Sequence, residues 1–566
     1  MGVGHGVTPG ASPEMRAPAT VPARSSRGAQ VLALLPWAPL VGAAAYALVL
    51  AVRIKGLVHD TATSDSVGPM AIAQALPGAH RGSTVVMGNA AHYTTLWFDM
   101  LTRHLPAYRL VWQAAPYLLS LLGVVLLART VRRLAGPRPA VVALAIALCA
   151  PPLVLAPLLV QAFHETTVVN GVVLAWLLAT LASARYVVTP RLLLLTAAVA
   201  VVTGLDLASD PLLLVAGVIP FAVAASLPVL RRRDEHRAVE LAAMAGGATV
   251  VAVAVGAATE LLMRHAGFHV QGLPLGIAGL GRMRDNATLL GHLVLDMGNG
   301  RLSLHALGIL GPVSVVCGVL AVLGALAPPA MLLRAVLRAA SPRDDATTLW
   351  LAFWGATAVC IAVAFVVTTV AADRNSMRYL VPTFFAVAAT VPFVAVPRLP
   401  RLQAGVAAAV AVTSLSGAVV LAHADVAADF DVQPQHADGL VAALEAHGLH
   451  HGYAGYWQAN LLTWDSDGAV VSRAVQQGAA CHAAQRGWFC PYPIFTVSDW
   501  FTPQAGPSFL IREIGGAFVP DPPPPRPRPV SVFNYDRFEV YVYDHDIALD
   551  AARNASGWSN PQAATP

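Results

Sequence analysis

Arg53-Ile54-Lys55-Gly56-Leu57-Val58-His59-Asp60-Thr61-Ala62-Thr63-Ser64-Asp65 follows an apolar run over residues 31–53, and its reading decides the fold. A run of about 20 apolar residues is long enough to cross a bilayer. This one lacks a convincing small-residue cleavage signal, so it reads as a membrane anchor rather than a removed leader. The stretch behind it then opens the first loop on the far side of the membrane, with two carboxylates, Asp60 and Asp65, close to the surface.

The rest of the chain has the same character. Of 566 residues, 56% are hydrophobic and 12% charged, against about 25% charged in soluble proteins. Apolar runs at 31–53, 108–128, 139–160, 167–184, 191–207, 211–230, 239–262, 304–327, 347–371, 379–397 and 404–423 give eleven expected spans. Arginines fall on alternate loops: Arg16, Arg24 and Arg27, then Arg129 to Arg138, Arg185 and Arg191, Arg231 to Arg237, Arg334 to Arg343, and Arg398 with Arg401. Positive residues favour the cytoplasmic side, which puts the N-terminus inside and the C-terminus outside. The net charge of +5 carries no nucleic-acid signal, because no basic, aromatic-bearing face is visible.

The expected fold is an α-helical polytopic membrane protein of about eleven transmembrane helices with a small C-terminal extracytoplasmic α/β domain. Residues 1–29, rich in Gly, Ala, Pro and Ser, read as a disordered cytoplasmic tail. Residues 30–424 form the membrane domain, with outer loops at 54–107 and 263–303, and 425–566 form the outer domain. In the first loop, apolar residues from Tyr93 to Leu105 recur at helical spacing, as in a helix lying on the membrane or packed on the protein. In the outer domain, Ala437 to His447 reads as a helix, and Ala469 to Ala474, Ser508 to Ile514 and Arg537 to Tyr543 as strands. Pro520 to Pro529 reads as an extended bridge.

Polar residues at membrane depth are costly and tend to face a cavity or a partner. His164 and Glu165 sit in one short outer turn, Asp206 and Asp210 in another, and Asp210 before Pro211 also suits a helix cap. A further turn, Asp373-Arg374-Asn375-Ser376-Met377-Arg378-Tyr379, places two arginines against the positive-inside bias. Arginine suits phosphate through forked hydrogen bonds, or pairs with an acid such as Asp373. Trp457 and Trp464 belong to an aromatic-rich tail whose rings suit either sugar stacking or a core. Cys481 and Cys490, nine apart in an oxidising compartment, suit a disulfide.

Taken together, the spans, the acids on a long first loop, the Arg-Tyr turn before a Pro-containing span and the outer tail, with Gly452-Tyr453-Ala454-Gly455-Tyr456-Trp457-Gln458-Ala459-Asn460, resemble the C-type (GT-C) polytopic membrane glycosyltransferases, especially those of actinobacteria. The resemblance implies transfer of a sugar from a polyprenyl-phosphate donor to an envelope glycan, glycolipid or protein acceptor, at the outer face of the plasma membrane. It implies Asp65 as base, with Asp60 as second choice. It implies Arg378 on the donor phosphate with Arg374 near it, and His164, Glu165, Asp206 and Tyr379 lining the cavity. Trp457 and Trp464 would then meet the acceptor. The family often pairs two acids or sets an acid beside an aromatic, whereas Asp65 lies between Ser64 and Ser66. No cofactor is demanded. A divalent metal would find hard oxygen ligands in Asp60, Asp65 and Glu165, though no spacing requires one. Rival readings are a secondary transporter, for which matching sequence halves are missing, and a non-catalytic envelope-assembly protein.

Overall fold

The computed structural model describes residues 34–80, 82–88, 90–161, 164–231, 236–272, 275–299, 311–337, 345–394, 400–425, 438–477, 489–514 and 528–548. The expected tail 1–29 and most of the proline bridge lie outside these residues.

The chain is a multi-pass membrane protein. Among the described residues, ten helices are long and apolar enough to cross a membrane, or eleven when two helices meeting at 80° are taken as one span. In order, the bundle comprises α1 (Ala38–Thr61), α4 (Tyr108–Ala135), the bent pair α5 (Pro137–Leu148) and α6 (Pro152–Leu159), α7 (Glu165–Ser183), α8 (Pro190–Ser209), α9 (Ile219–Arg231), α10 (His236–His265), α12 (Gly311–Leu337), α13 (Asp345–Val367), α14 (Val381–Val394) and α15 (Pro400–His423). The first and last helices of the bundle pack together. Arg53 on α1 donates to the Leu421 and Ala424 carbonyls of α15 at 2.7 and 3.0 Å. Earlier on α1, a Cβ on Gly42 would lie 2.7 Å from Ser414 Cβ. The two helices therefore run parallel.

The bend follows from Pro151-Pro152, which cannot continue a helix. Such a break frees backbone carbonyls that lipid cannot satisfy. Tyr46 of α1 meets this need by donating its hydroxyl to the Ala150 carbonyl. A π-helical turn, Leu214–Val218, precedes α9, and Thr357 donates to its Ala216 carbonyl at 3.1 Å. Small residues let helices approach closely: a Cβ on Gly204 of α8 would stand 2.6 Å from the Ala252 carbonyl of α10.

Two boundaries differ from the sequence reading. The first span continues to Thr61, so Asp60 stands on its last helical turn and not in a loop. The tenth is entered through a 3-10 turn, Arg374–Leu380.

The connecting segments are structured. Between α1 and α4 lie α2 (Ser64–Ala75), β1 (Val85–Met87) and α3 (Tyr93–Thr102). Between α10 and α12 lie β2 (Phe268–Val270) and α11 (Leu280–Asp296). The C-terminal region holds α16 (Asp438–Ala446), β3 (His451–Ala454), α17 (Tyr456–Asp465), β4 (Val471–Gln477), β5 (Phe489–Pro491), β6 (Thr496–Val497), β7 (Ser508–Glu513), β8 (Ser531–Tyr535) and β9 (Phe538–Tyr543). Six of its strands form a mixed sheet in the order β5-β4-β3-β7-β9-β8, with β3 parallel to β4 and β7. A second sheet, β2-β1-β6, takes one strand from each loop and one from the C-terminal region. β1 pairs in parallel with β2 and antiparallel with β6. The C-terminal domain is thereby stitched to both loops.

Candidate functional site

The site begins with α2. Ser66 accepts from the Thr63 backbone N–H at 2.8 Å, which starts the helix and sets Asp65 in its first turn, where partial positive charge favours an acid. Ser64 donates to the carbonyls of Tyr456 (2.6 Å) and Trp457 (2.9 Å) at the start of α17. The two serines beside Asp65 thus have separate tasks: one caps α2 and the other ties it to the C-terminal domain. In open α/β sheets, ligands gather beyond the carboxyl ends of parallel strands. Tyr456 and Trp457 follow directly on β3 and are turned there towards the membrane domain.

Tyr456 is buried and donates its hydroxyl to Asp65 Oδ1. Its ring stacks on Tyr492 at 4.5 Å, with Trp457 edge-on at 5.0 Å. Among the described residues Asp65 Oδ2 accepts no hydrogen bond, so one carboxylate oxygen is held and the other is open to a ligand. Burial raises the Asp65 pKa above the ordinary carboxylate value, opposed by the Tyr456 hydrogen bond and the charge of Arg378. Arg378 comes from the 3-10 turn and donates to Tyr379 at 3.2 Å. The Tyr379 ring lies 5.4 Å from that of His164, whose Nδ1 is 2.6 Å from Asp210 Oδ2. Thr167 also donates to Asp210. One connected polar track therefore runs from Tyr456 and Asp65 past Arg378 and Tyr379 to His164 and Asp210.

The other sequence candidates lie as follows. Asp60 is half-buried and makes no hydrogen bond or ion pair among the described residues. Arg374 Nε lies 3.6 Å from the buried Asp296 of α11. Glu165 is buried at the start of α7 and acts on Asp99 of α3, whose pKa burial pushes well above the usual carboxylate range. Asp206 accepts from Asn170 at 2.7 Å within the bundle. Asp60, Asp65 and Glu165 do not converge, and no group of three His, Cys, Asp or Glu among the described residues has metal-ligating geometry. Cys490 is disulfide-bonded, while Cys149, Cys317 and Cys360 are free; Cys481, its expected partner, lies outside the described residues.

Trp464 stands at the far end of α17, half-buried, where it packs on Trp112 of α4 at 4.6 Å, with the Arg109 guanidinium 4.7 Å from its ring centre. Arg109 also donates to its carbonyl and pairs with Asp467 at 2.6 Å. These contacts tie α17 to α4.

Two participants escaped the sequence reading. Tyr456 lay within a quoted segment but was given no role. His92 caps α3 and sits 6.5 Å from His164 and 6.2 Å from Phe495. Burial pushes its pKa down to about 4, so it is neutral near pH 7. Both histidines have left-handed backbone, φ 48° and 72°, which costs about 1–3 kcal/mol for a non-glycine and clusters at functional sites. No periodicity signals this.

No protein-family model matches the chain, and no curated protein matches it. Among solved structures it is similar to the oligosaccharyltransferase of Archaeoglobus fulgidus, crystallised in complex with Zn and sulfate. The likeness covers 77% of this chain at 12% identity and a TM-score of 0.41, and the chain spans 62% of that protein's length.

Proposed function

We propose that this protein is a membrane glycosyltransferase. It moves a sugar from a polyprenyl-phosphate donor to a glycan, glycolipid or protein acceptor at the outer face of the plasma membrane. Asp65 is the base and Arg378 binds the donor phosphate. The supporting observation is the meeting of Asp65 from the first loop, Arg378 from the turn before the tenth span and Tyr456 from the C-terminal domain. This gathering of acid, cation and phenol lies where the loops meet the bundle.

The chemistry fits these groups. A glycosyl phosphate is already activated, so its departure needs charge stabilisation, which a preorganised guanidinium gives. The acceptor oxygen attacks the anomeric carbon, its proton passes to Asp65 Oδ2, and the bond to the phosphate oxygen breaks with its electron pair. Direct displacement with one base inverts the anomeric centre. A raised Asp65 pKa makes it a stronger base than a solvent-exposed aspartate. Tyr456 is a positioning residue: it fixes the carboxylate through Oδ1. The arginine clusters at Arg129 to Arg138, Arg231 to Arg237, Arg334 to Arg343 and Arg398 with Arg401, on alternate connections, support a cytoplasmic N-terminus and an outer C-terminal domain.

The test is transfer by the purified chain in lipid, supplied with polyprenyl-phosphate mannose, arabinose or glucose and an envelope extract as acceptor. Transfer from one of these donors is expected. No transfer from any, beside saturable binding of a small solute, would overturn the reading in favour of a transporter.

A further inference from the structure

Among the described residues, the face of the six-stranded sheet that carries His451, Tyr453 and Arg473 holds a cation without a counter-ion. Arg473 pairs in register with Tyr453 across β3 and β4. Its guanidinium lies 4.1 Å from the Trp500 ring centre, and among the described residues it makes no ion pair or hydrogen bond. The buried acid on this face, Asp546, does not neutralise it. Asp546 already accepts from Tyr453 (2.8 Å) and from the backbone of Gln504 (2.8 Å) and Ala548 (2.9 Å). His451 lies 3.4 Å from its other oxygen. Burial lowers the Arg473 pKa to about 10, with no carboxylate acting against it.

Stacking uses the flat face of a guanidinium and leaves its in-plane N–H donors open. Among the described residues, Trp500, 7% exposed, leaves its indole N–H without a partner, and His451 Nδ1 is likewise buried and unpartnered. Arg473 itself is only half-buried, so a solute can reach it. Trp500 follows closely on Ser498, which bonds Thr84 of the first loop, so the cluster lies near the seam between the domain and that loop.

We propose that Arg473 and the Trp500 indole N–H form a binding site for an oxyanion, the carboxylate or phosphate of an acidic sugar or phosphorylated group. A guanidinium edge takes such a group through paired hydrogen bonds. The site is separate from Asp65 and does not rest on the transferase reading.

The experiment is calorimetric titration of the full chain in nanodiscs with inorganic phosphate and, separately, with glucuronate. Saturable binding of at least one is expected, and which one identifies the oxyanion. Affinity should fall about tenfold or more in Arg473→Gln and a few-fold in Trp500→Phe, which keeps the stacking ring. Should Arg473→Gln fail to fold, Arg473→Lys retains charge and loses the fork, and about fivefold weaker binding is expected. Saturable binding of neither probe, or unchanged affinity in whichever Arg473 variant folds, would overturn the proposal.

Discussion

The two ends of α17 do opposite things. At its start, Tyr456 gives a hydroxyl to Asp65 and the Tyr456 and Trp457 carbonyls receive Ser64. At its end, Trp464 is wedged against Trp112 and Arg109 of α4. One end is an aromatic anchor clasped by Arg109, and the other a polar reach into the site. The reaching end depends on single hydrogen bonds, each worth about 1–3 kcal/mol when an ionised group is involved. A short rigid helix converts docking at one end into placement at the other.

The largest effect on this contrast should come from Arg378→Gln. It leaves both ends of α17 intact and removes the proposed phosphate cation, so transfer should fall about 10²–10³-fold with thermal stability nearly unchanged. A stability loss that accounts for the lost transfer would make Arg378 a structural residue instead. Trp464→Ala should cost about 2–3 kcal/mol of stability, below the range for a fully buried Trp because this one is half-buried. Its kinetic mark should be equal loss of donor and acceptor use. A selective loss of acceptor affinity would return Trp464 to sugar binding.

Tyr456→Phe keeps the ring stacked on Tyr492 and removes only the hydroxyl. That hydrogen bond lowers the Asp65 pKa against the upward push of burial. Activity that needs ionised Asp65 rises with pH, so the acid limb of the kcat/KM profile should lie above the ordinary aspartate range and move further up in Tyr456→Phe. A limb that stays still would mean that Asp65 does not carry it. The smallest effect should belong to Ser64→Ala: a loss of about 1 kcal/mol at the seam, read by thermal unfolding, with transfer falling a few-fold as α2 loosens from α17.

Much of the bundle was legible because a span needs only a long apolar run. All eleven runs correspond to helices, and the break in the third is explained by Pro151-Pro152. The strand Phe538–Tyr543 was legible through its strict alternation, buried at Phe538, Val540 and Val542. β1 and β2, three residues each, are too short for alternation to register, so the sheet that joins loops to domain was invisible. At the site, the acids and arginines stood out because charge in an apolar chain is conspicuous. Their partners did not. Tyr456 and Asp65 are 391 residues apart, and nothing local to either residue states that they meet. The partners of Arg374 and Trp464, Asp296 and Trp112, are likewise distant along the chain.

The most direct test of the account is the transfer rate of Asp65→Asn, measured in lipid with a competent donor while donor binding and thermal stability are followed in parallel. The account expects transfer to fall by about 10³-fold or more, with the donor still bound and the fold kept through Tyr456 and Ser64. Transfer at the wild-type rate in a folded Asp65→Asn protein would contradict it and move the base to another carboxylate.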